Sequence, residues 1–150
     1  ASKEVFKNAN YILIEHPVNQ KECISFMERF VGTLGFKSVK IMSPQAHDEI
    51  ISFTSQLPHA IAVSLINSDN EKYETGKYIG DSYRDLTRIA NINENLWSEL
   101  FLRNSDYLLA SIEAFEEQLD LIKVALKDND ERLLKDLFIK SSLRREKLEK

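Results

Sequence analysis

The residue types that could do chemistry are concentrated in two short segments. The first contains His47 and Asp48, followed by Ser55 and His59. On a helix, His59 lies one turn beyond Ser55, so the two side chains can hydrogen-bond one ligand or each other. The second segment, residues 83–90, reads Tyr-Arg-Asp-Leu-Thr-Arg-Ile-Ala. Together they indicate a site for a small polar or anionic molecule.

Arg88 is the residue of the second segment with the clearest physical requirement. It stands among Leu86, Ile89 and Ala90, a run suited to burial. A buried arginine needs an anionic partner, because an unpaired charge is costly to remove from water. Two partners are equally open: Asp85, three residues earlier on the same helix, or a ligand carboxylate that the planar guanidinium binds through two hydrogen bonds.

Other chemistries find weaker support. His47, Asp48 and His59 lack the spacing typical of metal sites, so we expect no metal. Ser55 lacks the glycines of a hydrolase nucleophile elbow. Trp97 is of a type found more often in a core than as a ligand platform. The sequence has no Gly-x-Gly-x-x-Gly phosphate cradle, so a redox role would require another domain.

Composition and charge indicate which classes of partner and which cellular compartment to expect. The chain has 20 Lys and Arg against 24 Asp and Glu, a net charge of -4, which argues against nucleic acid or an anionic membrane as partner. No run approaches the roughly 18 apolar residues of a membrane span. The single cysteine, Cys23, suits a reduced, cytoplasmic protein, and we expect it to be a small core residue.

The first 42 residues follow an α/β pattern. Residues 11–14 and 38–42 predict strands, and a helix with apolar residues at helical spacing lies between them, ending before Gly35. An isolated pair of strands is marginal in water. We therefore expect this unit to be the end of a larger α/β sheet.

From residue 43 the pattern is helical. Ser43-Pro44 predicts a helix start, and Pro58 should kink or divide that helix. A continuous helical pattern begins at Asn93, and Asp128 with Glu131 predicts a capping box for the last helix. An a/d heptad seam predicts a helical partner, internal or from a second subunit, along Leu108, Ile112, Phe115, Leu119, Ile122 and Leu126.

Four segments together resemble the prephenate and arogenate dehydrogenases. In order along essentially the whole chain they are VFKNANYILI, MSPQAHDEIISFTSQLPHAIA, YRDLTRIA and LWSELFLRNSDYLLASIEAFEEQL. The resemblance implies a mainly α fold: residues 1–42 are the end of a Rossmann-like nucleotide-binding domain, and residues 43–150 are an all-helical domain that binds substrate and forms a homodimer.

The resemblance also implies site residues. Arg88 should hold a carboxylate of prephenate or arogenate, His59 and Ser55 should contact the substrate or the tyrosine that inhibits many members, and Trp97 should help to close the pocket. Gln56 stands where many relatives carry a second histidine, so any role of that histidine is in doubt here.

Two further residues, His47 and Asp85, look like supports of the motif helices. The catalytic histidine of the family belongs to a His-Pro-Met-Ala-Gly motif, which His16-Pro17 does not match. We expect that motif upstream of Ala1, together with most of the site for NAD or NADP.

The implied activity is oxidative decarboxylation of prephenate to 4-hydroxyphenylpyruvate in tyrosine biosynthesis, with the chain inactive in isolation. Three alternatives remain. The motifs do not separate prephenate from arogenate as substrate. A non-catalytic helical dimerisation module would pair Arg88 internally and bury His59 as a core residue. A dehydrogenase of another small hydroxy acid would leave the Leu-Pro-His and Thr-Arg-Ile-Ala segments unexplained.

Overall fold

The computed structural model describes residues 3–148, which are mainly helical, as predicted. Two strands and seven α-helices succeed one another: β1 (Asn10–Ile14), α1 (Lys21–Thr33), β2 (Ser38–Met42), α2 (Pro44–Ile51), α3 (Leu57–Asn67), α4 (Asp81–Thr87), α5 (Glu94–Arg103), α6 (Ser105–Lys127) and α7 (Glu131–Leu148). Short 3-10 turns occupy Lys3–Phe6, Thr75–Lys77 and Arg88–Ala90, and a π-helical turn occupies Ser52–Gln56.

The chain divides into two compact units, one ending at Leu108 and the other beginning at Leu109 within α6. A domain boundary between residues 42 and 43 stays a prediction. No helix of residues 3–148 is long and apolar enough to cross a membrane.

The first strands form a parallel pair. Asn10 lies opposite Ser38 and Ile14 opposite Met42, and α1 packs on both strands. Gly35 comes after α1 with a φ of 92°, a conformation that favours glycine and ends the helix as predicted. The predicted strands and helix are confirmed. The expectation for Cys23 was wrong, because it is exposed, whereas Val31 is the residue of α1 that is fully buried.

Pro58 divides the helix that begins after Ser43. The Ser43 hydroxyl oxygen accepts a hydrogen bond from the Ala46 N–H at 3.2 Å, which caps α2 as predicted. Pro58 has no N–H and crowds the carbonyl one turn earlier, so the α-helical ladder cannot continue through it. A π-helical turn absorbs this defect: the Leu57 N–H donates to the Ser52 carbonyl oxygen, five residues back.

Asn104 interrupts the helix expected to run on from Asn93. The start is confirmed, because the Asn93 side chain accepts a hydrogen bond from the Leu96 N–H at 2.9 Å. The prediction that this helix continues through residue 104 was wrong. Asn104 has φ -123° and ψ 29°, a non-helical conformation that separates α5 from α6. Its side-chain amide instead donates to the Asp48 carbonyl oxygen and the Gln56 side-chain oxygen, at 2.9 and 2.8 Å. Long-range hydrogen bonds therefore override local helix periodicity here.

The second unit is an α-helical hairpin. Asn129 takes a φ of 50° after α6, and the Asp130 N–H donates to the Ala125 carbonyl oxygen at 2.8 Å, the pattern of a left-handed helix end. Asp130 then caps α7, since its carboxylate accepts from the Leu133 N–H at 2.9 Å. The predicted capping box of Asp128 and Glu131 was wrong, because Glu131 is already the first residue of α7.

The heptad seam within this unit is largely uncovered. Ile112 and Ile122 are half-buried, but Phe115, Leu119 and Leu126 are exposed, the last two at 46% and 61% of their surface. Exposure of apolar side chains in such a row to water is unfavourable, so they favour a partner surface.

We predict that Asp130→Ala destabilises the protein by about 1 kcal/mol, because the first turn of α7 loses its cap. Urea denaturation followed by circular dichroism measures the change. Asp128→Ala is the matched control and should have a much smaller effect. If Asp128→Ala proved as costly as Asp130→Ala, the assignment of the cap to Asp130 would be refuted.

Candidate functional site

The centre of the candidate site is a stack of two aromatic rings from distant parts of the chain. His59 of α3 and Trp97 of α5 have ring centroids 3.6 Å apart and planes inclined by 28°. Phe101, one turn further along α5, meets Trp97 edge-on, with centroids 5.8 Å apart and planes at 88°. His59 and Trp97 are both half-buried. This row of rings offers a partly exposed face suited to a planar ligand.

A hydrogen bond orients the His59 ring. Its Nδ1 lies 2.8 Å from the Ser55 carbonyl oxygen, one turn earlier. A carbonyl oxygen only accepts, so Nδ1 carries the hydrogen and donates. In the neutral ring Nε2 is then an acceptor, and in the protonated ring it is a second donor. The ring therefore presents one nitrogen for binding a ligand.

Ser55 lies at the π-helical turn and is half-buried. The sequence placed Ser55 and His59 on one face, and the structure brings them together through the Ser55 carbonyl oxygen. Within residues 3–148 the Ser55 hydroxyl has no hydrogen-bond partner, so it is available to a ligand. Among the described residues no hydrogen bond joins the Ser55 hydroxyl to the His59 ring, so this pair is not arranged as a nucleophile and base.

Arg88 begins the 3-10 turn that comes after α4, and both α4 and this turn pack against α3. The expectation that Arg88 is buried was wrong: its surface is exposed, and neighbouring Leu86 is 61% exposed. No ion pair joins Arg88 to Asp85, or to any other carboxylate of the described residues. The ion pair of Arg88 with Asp85 that the sequence left open is thus absent, and the Arg88 guanidinium can bind an external anion.

His47 and Asp85 were predicted to support the motif helices. His47 Nδ1 lies 2.9 Å from a carboxylate oxygen of its neighbour Asp48 at the start of α2. Asp85 is exposed on α4 and has no ion pair within residues 3–148. Their supporting roles stay predictions. Among the described residues, no group of three or more His, Cys, Asp or Glu side chains is arranged to hold a metal ion.

Two amides that the sequence did not single out as site residues lie beside the stack. Gln56 is only 4% exposed, and its Nε2 donates to the Leu100 carbonyl oxygen at 3.0 Å. Its Oε1 accepts from Asn104 Nδ2 at 2.8 Å. The signal available for Asn104 was an asparagine, a poor helix former, within a helical pattern. No comparable signal in the sequence marked Gln56.

A separate cleft lies where the two parallel strands end. Ligands of α/β sheets commonly bind beyond the carboxyl ends of strands. The connection from β1 to α1, residues 15–20, has no glycine, so it cannot cradle a pyrophosphate closely. The cleft is lined by Glu15, His16, Pro17, Asn19, Lys21, Ser43, Pro44 and Gln45.

Known proteins resemble this chain in both sequence and structure. Residues 43–140 match the family model described as prephenate dehydrogenase, dimerization domain. A prephenate dehydrogenase of Bacillus subtilis is 29% identical over 135 residues, which cover 87% of this chain and 36% of that protein. A cyclohexadienyl dehydrogenase of Zymomonas mobilis is 27% identical over 143 residues, covering 92% and 48%. The chain thus spans about a third to a half of the length of these curated relatives.

Solved structures agree with the sequence relatives. The prephenate dehydrogenase from A. aeolicus in complex with hydroxyphenyl propionate and NAD+ aligns with a TM-score of 0.81 at 28% identity, over 95% of this chain and 51% of that one. An arogenate dehydrogenase of Synechocystis aligns with a TM-score of 0.85 at 22% identity, over 97% and 54%, a likeness that shows the fold. By the match of residues 43–140 to the family model, the chain belongs to the prephenate dehydrogenase family.

Proposed function

We propose that this chain is the substrate-binding and dimer-forming part of a dehydrogenase that converts prephenate to 4-hydroxyphenylpyruvate in tyrosine biosynthesis, in the cytoplasm. The observation that carries this proposal is the ring stack of His59 and Trp97, with the exposed Arg88 on a turn packed against the helix of His59. A planar ring with carboxylate groups matches such a surface.

Each side chain has a distinct part in this proposal. Arg88 binds a substrate carboxylate, and a planar guanidinium fixes its orientation through two parallel hydrogen bonds. His59 Nε2 and the Ser55 hydroxyl contact polar groups of the substrate, or of tyrosine acting as inhibitor. Trp97 packs against the ring of the substrate and excludes water from it. Correct orientation of a reacting carbon is worth a large factor in rate.

The overall reaction transfers a hydride from the ring carbon that bears the hydroxyl and releases the ring carboxylate as CO2. The electron pair of the broken carbon–carbon bond completes the aromatic ring, and the product retains the hydroxyl. The hydride acceptor is NAD or NADP, whose nicotinamide supplies the redox chemistry when bound. This chain has no glycine-rich cradle for a dinucleotide. We therefore assign cofactor binding and the catalytic histidine to another part of the protein, with residues 1–42 as the end of its nucleotide-binding domain, and expect the chain alone to be inactive.

The relatives support both prephenate and one alternative substrate. The A. aeolicus enzyme was solved with hydroxyphenyl propionate, a compound with a phenol ring and a carboxylate. Arogenate carries an amino group where prephenate has a ketone, and the described site has no side chain that decides between them. Arogenate is therefore the second substrate to test.

We predict that Arg88→Ala weakens binding of prephenate and of 4-hydroxyphenylpyruvate. Loss of a charge-assisted hydrogen bond costs about 1.5–3 kcal/mol, roughly a ten- to hundredfold rise in Kd. Isothermal titration calorimetry of the chain measures it. In the full-length enzyme, prephenate-dependent NADH or NADPH formation should fall in parallel.

The matched control is Arg84→Ala. Arg84 lies on α4, four residues before Arg88, and is also exposed, but it pairs with Asp81 at 3.5 Å. Its loss should leave ligand affinity unchanged. Equal weakening by both substitutions would show general electrostatic attraction instead of a carboxylate anchor. Absence of binding and of turnover with prephenate and arogenate would favour the non-catalytic dimerisation module.

We also propose that the protein is a homodimer in which the exposed seam of α6 contacts a second subunit. The apolar residues Phe115, Leu119 and Leu126 lie on one side of this helix and are exposed in the single chain. Burial of such a stripe against a second copy removes apolar surface from water, at about 25 cal/mol for each Å².

The corresponding prediction is that Leu119→Glu converts the dimer to monomer, because a carboxylate in an apolar interface is strongly disfavoured. Sedimentation equilibrium should change from twice the 17.4 kDa chain mass to that mass. Lys127→Glu introduces the same side chain at an exposed polar position of α6 and should stay dimeric. A wild-type chain that is monomeric at all concentrations would refute the dimer.

A further inference from the structure

The amide of Gln56 is a buried polar group that joins the two segments of the ring stack. Gln56 is 4% exposed, and both ends of its amide are used. Nε2 donates to the Leu100 carbonyl oxygen of α5, and Oε1 accepts from Asn104. Asn104 Nδ2 also donates to the Asp48 carbonyl oxygen of α2, at 2.9 Å. This amide pair thus connects α2, the π-helical turn and α5.

The pattern of acceptors permits only one orientation of the two amides. The carbonyl oxygens of Leu100 and Asp48 can only accept, so each must face an NH2 group. Asn104 then has a second N–H to donate, and the remaining oxygen of Gln56 accepts it. If either amide were rotated by half a turn, an oxygen would face an oxygen. The pair therefore holds its neighbours at defined distances.

The amide pair of Gln56 and Asn104 lies close to the His59–Trp97 stack. Gln56 lies three residues before His59, and Leu100 lies three residues after Trp97. The Gln56–Leu100 hydrogen bond therefore joins the same two segments as the stack, about one helical turn away. A shift of α5 relative to the π-helical turn would change both contacts together.

We propose that Gln56 and Asn104 are positioning residues that set the spacing and inclination of the His59–Trp97 stack, and through it the affinity for the substrate. The part that concerns substrate rests on the proposed function; the part that concerns the stack does not. Neither amide belongs to the ring face offered to a ligand. Their effect is exerted through Trp97, which they hold over the ring of His59.

Trp97 is the only tryptophan in the chain, so intrinsic fluorescence reports the stack directly. The variants are Gln56→Leu, which approximates the size of the side chain and removes the amide, and Asn104→Ala, which removes the second amide. The control is Ala62→Gly on α3, a fully buried position, where the loss of helix propensity costs about 1 kcal/mol without touching either amide.

We expect both amide variants to red-shift Trp97 emission and to increase its quenching by acrylamide in the folded state, with the larger effect in Gln56→Leu. Ala62→Gly should lower the melting temperature and leave the emission unchanged. Titration with 4-hydroxyphenylpyruvate should show about tenfold weaker binding in Gln56→Leu, because a displaced Trp97 ring loses part of its contact with the ligand; a factor of ten in Kd corresponds to about 1.4 kcal/mol.

Unchanged Trp97 emission and quenching in both amide variants would overturn the proposal, whatever their stability. If Gln56→Leu does not fold, Asn104→Ala decides the question by the same measurement. A wild-type chain that binds no 4-hydroxyphenylpyruvate or prephenate would refute the proposed function instead, and the fluorescence comparison would still test the positioning role. A spectral change without any change in ligand affinity would refute the link from stack to substrate.

Discussion

The missing N–H of Pro58 is the constraint on which the rest of the site depends. Because this residue cannot donate to the preceding turn and crowds its carbonyl, the helix after Ser43 cannot remain regular. The π-helical turn Ser52–Gln56 accommodates the defect. One extra residue in a turn rotates the rest of the helix by about 100°. Ser55, Gln56 and His59 all lie in or just after this turn, so their directions are set by it.

The buried amide side chain of the π-helical turn determines which segment packs against that turn. A buried amide such as that of Gln56 would cost about 1–3 kcal/mol if left without partners. Leu100 and Asn104 supply them, and Asn104 is also the residue at which α5 ends. The hydrogen bonds of Gln56 therefore hold α5 against the π-helical turn close to both the ring stack and the break between α5 and α6.

The distribution of apolar surface connects the fold to assembly. Few of the described side chains are fully buried in the single chain, whereas large apolar residues of α6 remain exposed. This surface lies within residues 43–140, which match the model of the prephenate dehydrogenase dimerization domain. The exposed Arg88 gives the complementary polar feature, a cation without an internal partner among the described residues. The apolar surface of α6 suits contact with another subunit, and the surface around Arg88 suits an anion.

The sequence by itself determined those features whose causes act within one helical turn or along one motif. Ser43 as a cap, Gly35 as a helix end, Pro58 as a break and the two strands were all predicted correctly, and the ordered motifs identified the family. Burial of Cys23 and Arg88, continuity at Asn104 and the capping role of Asp128 were predicted wrongly. Each of these depends on which distant surface covers a residue, or on which of two competing hydrogen bonds forms. The contact of His59 with Trp97 joins residues far apart in the chain, and only the tertiary structure decided it, because no local periodicity encodes the packing of α5 on α3.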